Sequence, residues 1–565
     1  MSAYRLDTSS ELPTTLSQLE NRLATLLHKR GVVDAIEIEK FLNPSYDDHL
    51  HDPFLLHGMD KAVERLSRAI QDGEMIVIFS DYDCDGIPGA VVLYDFLTSV
   101  GHEKFFNHIP HRHYDGFGLS VAAVEAIKEK HNPGLIITID CGTTDLEAVE
   151  RARALGIDVI ITDHHEPKDV LPKAVAVVNP KVGNTYPFTG LCGAAVVFKL
   201  VQAMLIRGSH AIAPGQEKWW LDMVGIATIA DMVPLLDENR VLASYGLKVL
   251  RKSRRPGLQQ LFRAQKAHQA YLTEDDVGFT IAPRINAASR MDTPEDAFWL
   301  LAVKDEGEAG ARLKHLESLN QARKTAVAQM TREVHQRLGE TTDIPPVIVL
   351  GNPDWRPSLV GLAANKLAEE NNRPAFLWGR DGNGAYKGSC RSGGGVSVVS
   401  IMNAIPEVFK EFGGHHHSGG FTVLPDAIYD FGQKLNEAYL SLGAAAAIAE
   451  ELMVDLELSL DDIDNALIKA QRQLAPFGHS NQKPVYLFKS VRPTRVEVFG
   501  KGQEHTKLSF STRGLAKEAI AFFKQPTDFK VTPSEDMTID LLAHLEESYF
   551  MNRLQTRLRI VDIVN

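Results

Sequence analysis

Cysteine is scarce in this chain. Cys84, Cys141, Cys192 and Cys390 are the four among 565 residues, and no two form a Cys-x-x-Cys pair. That argues against a disulfide framework or a thiolate metal site and fits unpaired thiols in a reducing compartment. Long apolar runs are missing too: no segment approaches the roughly 18 to 20 residues of a membrane span. Met1–Asp7 has neither the basic n-region nor the apolar h-region of a secretory signal, so a cytoplasmic protein without a membrane partner is expected. Positive charge is in deficit, with 60 Lys+Arg against 73 Asp+Glu and a net charge of −13. This excess argues against indiscriminate nucleic-acid binding but leaves room for a local basic stripe.

What the chain has is length and alternation. At 565 residues it exceeds what one hydrophobic core supports, so three or more domains are expected. After a helical lead-in (residues 16–27 and 35–42), strand-like runs at 75–79, 135–139, 158–162 and 174–178 alternate with helical segments at 62–71, 90–100, 120–131 and 144–155. Strands separated by helices of 10–15 residues imply βαβ units and a parallel sheet. Helical patterns continue over 191–206 and 219–230. Residues 306–338 contain no Pro, and their apolar spacing predicts one long helix joining two lobes. A second α/β unit follows (strand 347–350, helix 358–371, strand 374–378), then short strand-like segments from about residue 453 onward, read as a small barrel or sheet.

Three of the apolar runs end in side chains that bind metals. Met75–Phe79 leads into Asp81, Asp83 and Asp85; Leu135–Ile139 leads into Asp140; Asp158–Thr162 leads into Asp163-His164-His165. In an open α/β sheet, ligands bind beyond the carboxyl ends of the strands. Five Asp and two His would therefore meet in one crevice, too much charge to collect without cations, and a binuclear divalent site is the simplest account. In an extended segment Asp81, Asp83 and Asp85 would share one face, and Gly86 and Gly89 would allow a tight turn into the next helix. Asp231, after the apolar run Gly225–Ala230, is a further candidate. Carboxylates with imidazole favour Mn²⁺ or Mg²⁺, and two such ions suit hydrolysis of a phosphoester or phosphoanhydride.

These residues resemble the four successive motifs of the DHH phosphoesterase superfamily. Further segments are similar to its RecJ family of single-strand-specific exonucleases: Pro110–Ser120, Ala282–Arg290, Gly388–Ser392 with Gly413-Gly414-His415, and Pro476-Phe477-Gly478 with Pro484. The resemblance runs from about residue 50 to the end. It implies an α/β fold in which a parallel-sheet DHH domain (51–305) follows the lead-in (1–50). A connecting helix (306–340) would join it to a smaller α/β DHHA1 domain (341–450), followed by a β-barrel OB-like domain (451–565). It implies two divalent cations, Mn²⁺ or Mg²⁺, held by Asp81, Asp83, Asp85, Asp140, His164 and Asp231. His165 would face the scissile phosphate, with Asp163 orienting a ligand. Arg112, Arg284, Arg290, Ser389, Arg391 and His415 are the implied phosphate or nucleic-acid contacts. The run Gly393–Gly395 leaves Ser389 and Arg391 room for a close backbone approach. Cys141, Ser289, Arg356 and His416 depart from the family's usual residues and touch phosphate handling rather than any implied ligand.

The implied activity is 5′-to-3′ exonucleolytic hydrolysis of single-stranded DNA in recombination and repair. The implied chain is monomeric, with a helicase and a single-strand-binding protein as partners. Between Pro484 and Lys530, nine Lys/Arg face four acids, interleaved with Tyr486, Phe488, Phe499 and Phe510. Basic grooves with aromatic platforms suit single strands, although at least half of these rings are expected to fill the barrel core. One alternative is a DHH/DHHA1 phosphodiesterase acting on short oligoribonucleotides or cyclic dinucleotides, against which residues 453–565 argue. A non-catalytic replication factor is the other, and the intact set of six ligands argues against it.

Overall fold

The structure, a computed structural model, describes residues 4–6, 12–208, 212–339, 344–393, 395–442, 452–550 and 553–564. Gly394 and the domain boundaries expected at 340–341 and 450–451 lie outside them.

The first lobe follows β1 (Tyr4–Leu6), α1 (Asn21–Lys29), α2 (Ala35–Leu42) and α3 (Met59–Gln71). Its strands β2 (Ile76–Ser80), β3 (Phe105–His108), β4 (Leu135–Ile139), β5 (Asp158–Thr162) and β6 (Ala176–Val178) form one sheet in the order β3-β2-β4-β5-β6. Every pairing is parallel. Between strands run α4 (Gly86–Ser99), α5 (Val121–His131) and α6 (Leu146–Ala154), and beyond the sheet α7 (Gly193–Arg207), α8 (Leu221–Ala230), α9 (Asp237–Leu250) and α10 (Pro256–Gln265). β2, β4 and β5 are near-continuous apolar runs because both sheet faces are covered. Ile76 and Ile78 pack into the core built with α4, α7 and α8, while Val77 and Phe79 point into the opposite core with α5 and α6. The edge strand β3 is half-exposed and carries no apolar run, so the sequence gives little sign of it.

After the single-turn α11 (Glu274–Asp276) and a π-helical turn at Val277–Ile281 come α12 (Ala282–Met291), α13 (Glu295–Ala302) and the 34-residue α14 (Glu306–Gly339). Leu313 and Leu316 of α14 belong to the first lobe's core, while Met330 and Val334 belong to the second's. One helix therefore spans both lobes. The second lobe contains β7 (Ile348–Gly351), α15 (Pro357–Asn371), β8 (Ala375–Arg380), β9 (Tyr386–Arg391), α16 (Val398–Ala404), β10 (Phe409–Gly414), β11 (Ser418–Val423) and α17 (Phe431–Ser441). Its sheet runs β10-β11-β9-β8-β7, parallel only between β7 and β8.

The C-terminal unit comprises β12 (Leu452–Val454), β13 (Leu456–Glu457), α18 (Asn465–Leu474), β14 (Tyr486–Val491), β15 (Arg495–Phe499), β16 (His505–Ser509), β17 (Glu518–Ala521), β18 (Ile539–Phe550) and β19 (Arg553–Val564). Seven of these strands form a sheet in the order β13-β14-β18-β19-β17-β16-β15 around one core. Tyr486, Phe488 and Phe510 are buried in that core, so three of the four interleaved aromatics serve packing. The N-terminal helices pack against this unit: α1 and α2 share an apolar cluster with α18, and β1 pairs with β12.

Two of the helices that reach the crevice from the first lobe, α4 and α8, are clamped at their far ends. Arg255 bonds Asp95 of α4 at 2.7 Å and Asp222 of α8 at 2.9 Å, and Ser253 Oγ donates to Asp222 at 2.8 Å. Removing one member of a buried ionic network leaves uncompensated charge and costs about 3–5 kcal/mol. Arg255→Ala is therefore expected to lower the unfolding temperature clearly, and adding Asp95→Asn and Asp222→Asn should recover part of the loss. Calorimetric scans of the three proteins check this.

Candidate metal centre

The carboxyl ends of β2, β4 and β5 converge. Asp81 continues the ladder with its N–H on Ile139 O at 3.0 Å, Asp140 with its N–H on Thr162 O at 2.9 Å, and Asp163 with its N–H on Val178 O at 3.1 Å. Asp140 then turns with φ +60°, in the left-handed region that costs a non-glycine residue of order 1 kcal/mol or more and is characteristic of functional turns.

The segment after β2 is not extended, so Asp81, Asp83 and Asp85 do not share a face by strand alternation. Asp83 Oδ1 accepts the N–H groups of Asp85 (2.8 Å) and Gly86 (3.2 Å), which starts α4 four residues earlier than apolar spacing alone suggests. Gly86 is required for space rather than for a left-handed turn: a Cβ there would sit 2.4 Å from Asp81 O. Asp85 points instead at the N-terminus of α7, where Gly193 N–H and Ala194 N–H donate to its two oxygens at 2.6 and 2.7 Å. Helix N-termini favour anions. Gly193 leaves no room for a side chain, since its Cβ would lie 2.5 Å from Asp140 Cβ.

His164 sits among the acids. Its Nε2 is 3.1 Å from Asp140 Oδ1, 3.7 Å from Asp231 Oδ2 and 3.8 Å from Asp85 Oδ2. Three groups place their donor atoms within 4.8 Å of one another: Asp140/His164/His165, Asp85/His164/Asp231 and Asp81/Asp83/Asp140. Asp81 Oδ1 and Asp140 Oδ1 are buried without a hydrogen-bond partner. Burial, then repulsion from neighbouring carboxylates, holds Asp81 and Asp140 well above the usual carboxylate range and pushes Asp231 up to about 9. Burial lowers His164, against the pull of Asp85. Orphaned oxygens, crowded carboxylates and a deprotonated imidazole are the donor set of a hard divalent cation, so the residues fit Mn²⁺ or Mg²⁺.

His165 is distinct. Its Nδ1 is 2.8 Å from Asp163 Oδ1, its side chain is 46% exposed, and it faces the cavity. Burial lowers its pKa, but the bond to Asp163 outweighs this and the net shift is upward. Asp163 accepts the N–H groups of His164 (2.7 Å), His165 (3.1 Å) and Thr143 (2.9 Å), and these with His165 hold it well below the usual range despite burial. Its ring partner is thus His165 and not the ligand candidate His164. Asn179, fully buried beyond β6, donates to His165 O at 2.9 Å and Thr143 Oγ1 at 3.0 Å. The strand-like run at 174–178 places Asn179 at a strand end, but nothing in the sequence links it to His165.

A cavity of about 250 Å³ opens over these groups, lined by Asp81, Tyr82, Asp83, Arg112, Phe117, Asp140, His165, Asp231, Asn286 and Arg290. Arg112 lies over the Tyr82 ring at 4.8 Å. Arg290 is pushed down to about 9 by burial and by Arg112, Arg323 and Arg391, the mark of cations gathered without their anion. It also joins the lobes, donating to Ser358 O of α15 at 2.6 Å. Arg284 is a correction to the sequence reading. It bonds Glu317 of α14 at 2.6 Å and Thr280 O at 2.7 Å, away from the cavity. On a 3.6-residue helix, positions 286 and 290 share a face and 284 does not. Asn286 therefore takes the place expected of Arg284, and its buried Oδ1 has no partner. Ser389 and Arg391 sit on β9 against Gly361 of α15, where a Cβ would approach Ser389 Oγ and Arg391 Nη2 to 3.2 and 3.1 Å. His415 is exposed in the β10–β11 turn with its N–H on Ser418 O. These three do not line the cavity.

A doubly covered parallel sheet with a carboxylate–imidazole cluster at its strand ends defines a protein of the DHH class, and residues 75–228 match the DHH family, N-terminal domain. Residues 345–440 match the DHHA1 domain and 454–562 the RecJ OB domain. The chain is 33% identical over 542 residues to the single-stranded-DNA-specific exonuclease RecJ of Bacillus subtilis, covering 96% of this chain and 67% of that protein. It is 31% identical over 499 residues to the protein of the same name from Salmonella typhimurium, covering 85% of each. The crystal structure of RecJ in complex with Mn²⁺ from Thermus thermophilus superposes with a TM-score of 0.82 at 26% identity, over 99% of this chain and 79% of that one. The chain belongs to the RecJ family.

Three expected outcomes follow from the site's electrostatics and geometry. The folded state raises Asp81, Asp140 and Asp231 above their unfolded value of about 3.9. The metal-free protein therefore loses stability as pH rises from about 4 through the folded values, up to about 9 for Asp231. Mn²⁺ should release protons on binding at pH 7, seen as a binding heat that varies with the buffer's ionisation enthalpy. Asn179→Ala should lower kcat by about 10- to 100-fold, the usual scale for partners that orient a site residue, with KM and Mn²⁺ affinity little changed. Steady-state kinetics and calorimetry check this.

Proposed function

We propose that the chain is a metal-dependent exonuclease that hydrolyses phosphodiester bonds of single-stranded DNA from the 5′ end. The observation that carries this is the convergence of Asp81, Asp83, Asp85, Asp140, His164 and Asp231, with two buried carboxylate oxygens left unpartnered, in a chain of the RecJ family. In this reading those six residues hold two divalent cations, Mn²⁺ or Mg²⁺. When bound, such a pair activates water and offsets charge on the phosphoryl oxygens.

The remaining roles fall to the chain's own groups. Asp163 accepts from His165 Nδ1 and so leaves Nε2 to the cavity. The ring is thereby oriented to donate from Nε2 to a phosphate oxygen. Arg112, Arg290 and Asn286 line the same cavity and would engage the phosphate, which would offset the cost of burying the Arg290 charge. Ser389, Arg391 and His415 extend the basic face onto the second lobe, where they would follow the backbone. Arg284 braces α12 against α14.

The 5′ polarity, the role in recombination and repair, the helicase and single-strand-binding partners and the monomeric state have the family resemblance as their support. A cytoplasmic location is supported by four buried, unpaired cysteines, and no helix among the described residues is long and apolar enough to cross a membrane.

Long single-stranded DNA labelled at either end, incubated with Mn²⁺ or Mg²⁺, tests the reading. Mononucleotide should leave the 5′ label from the first time point, blunt duplex should resist, and Asp140→Ala should cut turnover by at least about a hundredfold, the scale of lost charge stabilisation. Inertness on long strands with hydrolysis of a dinucleotide or cyclic dinucleotide would overturn it.

A further inference from the structure

The clamp on α4 and α8 lines a second cavity in the first lobe. It holds about 630 Å³ and lies at the opposite ends of these two helices from the metal centre. Asp95, Asp222 and Arg255 face it, the turn Gln216–Trp220 forms one wall, and the end of α13 forms another.

Three groups in this lining are left unused by the fold. Trp219 is 52% exposed, while the other four tryptophans are buried or half-buried. Arg254 and Lys304 are exposed and have no ion-pair or hydrogen-bond partner among the described residues. The two carboxylates, by contrast, are taken: Asp95 by Arg255, and Asp222 by Arg255 and Ser253. Arg254, Arg255 and Lys304 outnumber Asp95 and Asp222, so the lining is net positive in a chain of net charge −13. An open aromatic face beside free cations, in a cavity of ligand size, is the complement of a planar ring that carries an anionic group.

Position matters as much as lining. Asp85 stands at the start of α4 and Asp231 at the end of α8, and both belong to the metal centre. Asp95 and Asp222 lie roughly 15 Å from them along the same helices. Trp220, next to Trp219, also stands edge-on to Phe96 of α4 with centroids 6.4 Å apart. The cavity therefore adjoins the far ends of the two helices that bring Asp85 and Asp231 to the cations.

We propose that this cavity is an effector site for a nucleoside monophosphate, the base stacking on Trp219 and the phosphate meeting Arg254 and Lys304. That the nucleotide is the enzyme's own product rests on the exonuclease reading above; the affinity for a nucleotide does not. A phosphate here competes with Asp95 and Asp222 for Arg255. Weakening those bonds loosens the far ends of α4 and α8, and with them the placing of Asp85 and Asp231. Occupancy then slows turnover without obstructing the strand, and accumulated product restrains its own formation.

Binding of 5′-dAMP to the full chain with Mn²⁺, read by quenching of tryptophan fluorescence, tests the site. Trp219→Phe should remove the quench, and Arg254→Ala combined with Lys304→Ala should raise Kd about tenfold or more. Deoxyadenosine and inorganic phosphate should each bind at least about tenfold more weakly than 5′-dAMP. At saturating single strand, 5′-dAMP should lower kcat about fivefold or more with KM little changed. Trp219→Leu should keep the basal kcat and lose this inhibition. A wild-type Kd in the double variant overturns the proposal. So does inhibition that raises KM alone and persists in Trp219→Leu, which would put the nucleotide at the metal centre. Phosphate that binds as tightly as 5′-dAMP would leave a simple anion site, and a quench by an acidic peptide but not by 5′-dAMP would leave a peptide-docking surface; either result overturns it. If 5′-dAMP binds through Trp219 but no single strand is degraded, the nucleotide site stands and the exonuclease reading falls.

Discussion

Carboxylates packed at the ends of adjacent parallel strands repel one another, and the rest of this structure is arranged around that repulsion. Strand spacing brings Asp81, Asp140 and Asp163 together whatever follows them. The fold meets the charge in three ways. Asp85 is given to the amide groups at the start of α7. Asp163 is satisfied by three backbone N–H groups and an imidazole. Asp81 and Asp140 are left with an orphaned oxygen each. The third arrangement is unstable for ionised acids in a buried place, and it makes sense only where a cation supplies the missing partner. The left-handed φ of Asp140 and the glycines at 86 and 193 belong to the same problem, since each lets backbone or carboxylate approach more closely than an ordinary residue permits.

The parts of this arrangement that a linear sequence displays are the parts carried by contiguous residues. β2, β4 and β5 were legible because a strand covered on both faces must be an unbroken apolar run, and each run ends in its own Asp or His. The long helix α14 was legible because it lacks Pro and keeps an apolar stripe. What was not legible depends on phase or on distant partners. Asn286 and Arg284 are equally polar and two residues apart. Only the helical phase of α12, set by contacts to Glu317 and Thr280 O, turns Asn286 to the cavity and Arg284 away from it. The bracing of His165 by Asn179 joins residues from two strand ends, and the clamp of α4 to α8 through Arg255 joins three segments. Spacing along the chain carries no trace of either. Asp83 misled for a related reason: its alternation with Asp81 and Asp85 looks like a strand, but its side chain caps α4 instead.

The basic half of the site is shared between lobes. Arg290 is held by Ser358 O, Ser358 Oγ returns a bond to Arg290 O at 2.8 Å, and Arg356 donates to Met291 O at 2.8 Å. The end of α12 and the start of α15 are thus bonded directly to one another, although they belong to opposite lobes. A shift of the second lobe would drag Arg290 relative to the carboxylates of the first. The same α15 carries Gly361, which makes room for Ser389 and Arg391. The residues proposed to meet phosphate from the two lobes are therefore both tied to α15.

This division explains how a chain with a net charge of −13 can accommodate a polyanion. Without cations the carboxylate cluster stays partly protonated, because burial and mutual repulsion raise Asp81, Asp140 and Asp231 together. Across the cavity, burial and the nearby guanidinium groups of Arg112, Arg323 and Arg391 disfavour the charge on Arg290, a cost that an anion relieves. Each half stores the complement of what the other half lacks. Cations on one wall and a phosphate against the other satisfy both at once, and neither ligand alone does so. Binding of metal and of nucleic acid to this cavity must on that account be mutually reinforcing, since linkage makes the coupling the same in both directions.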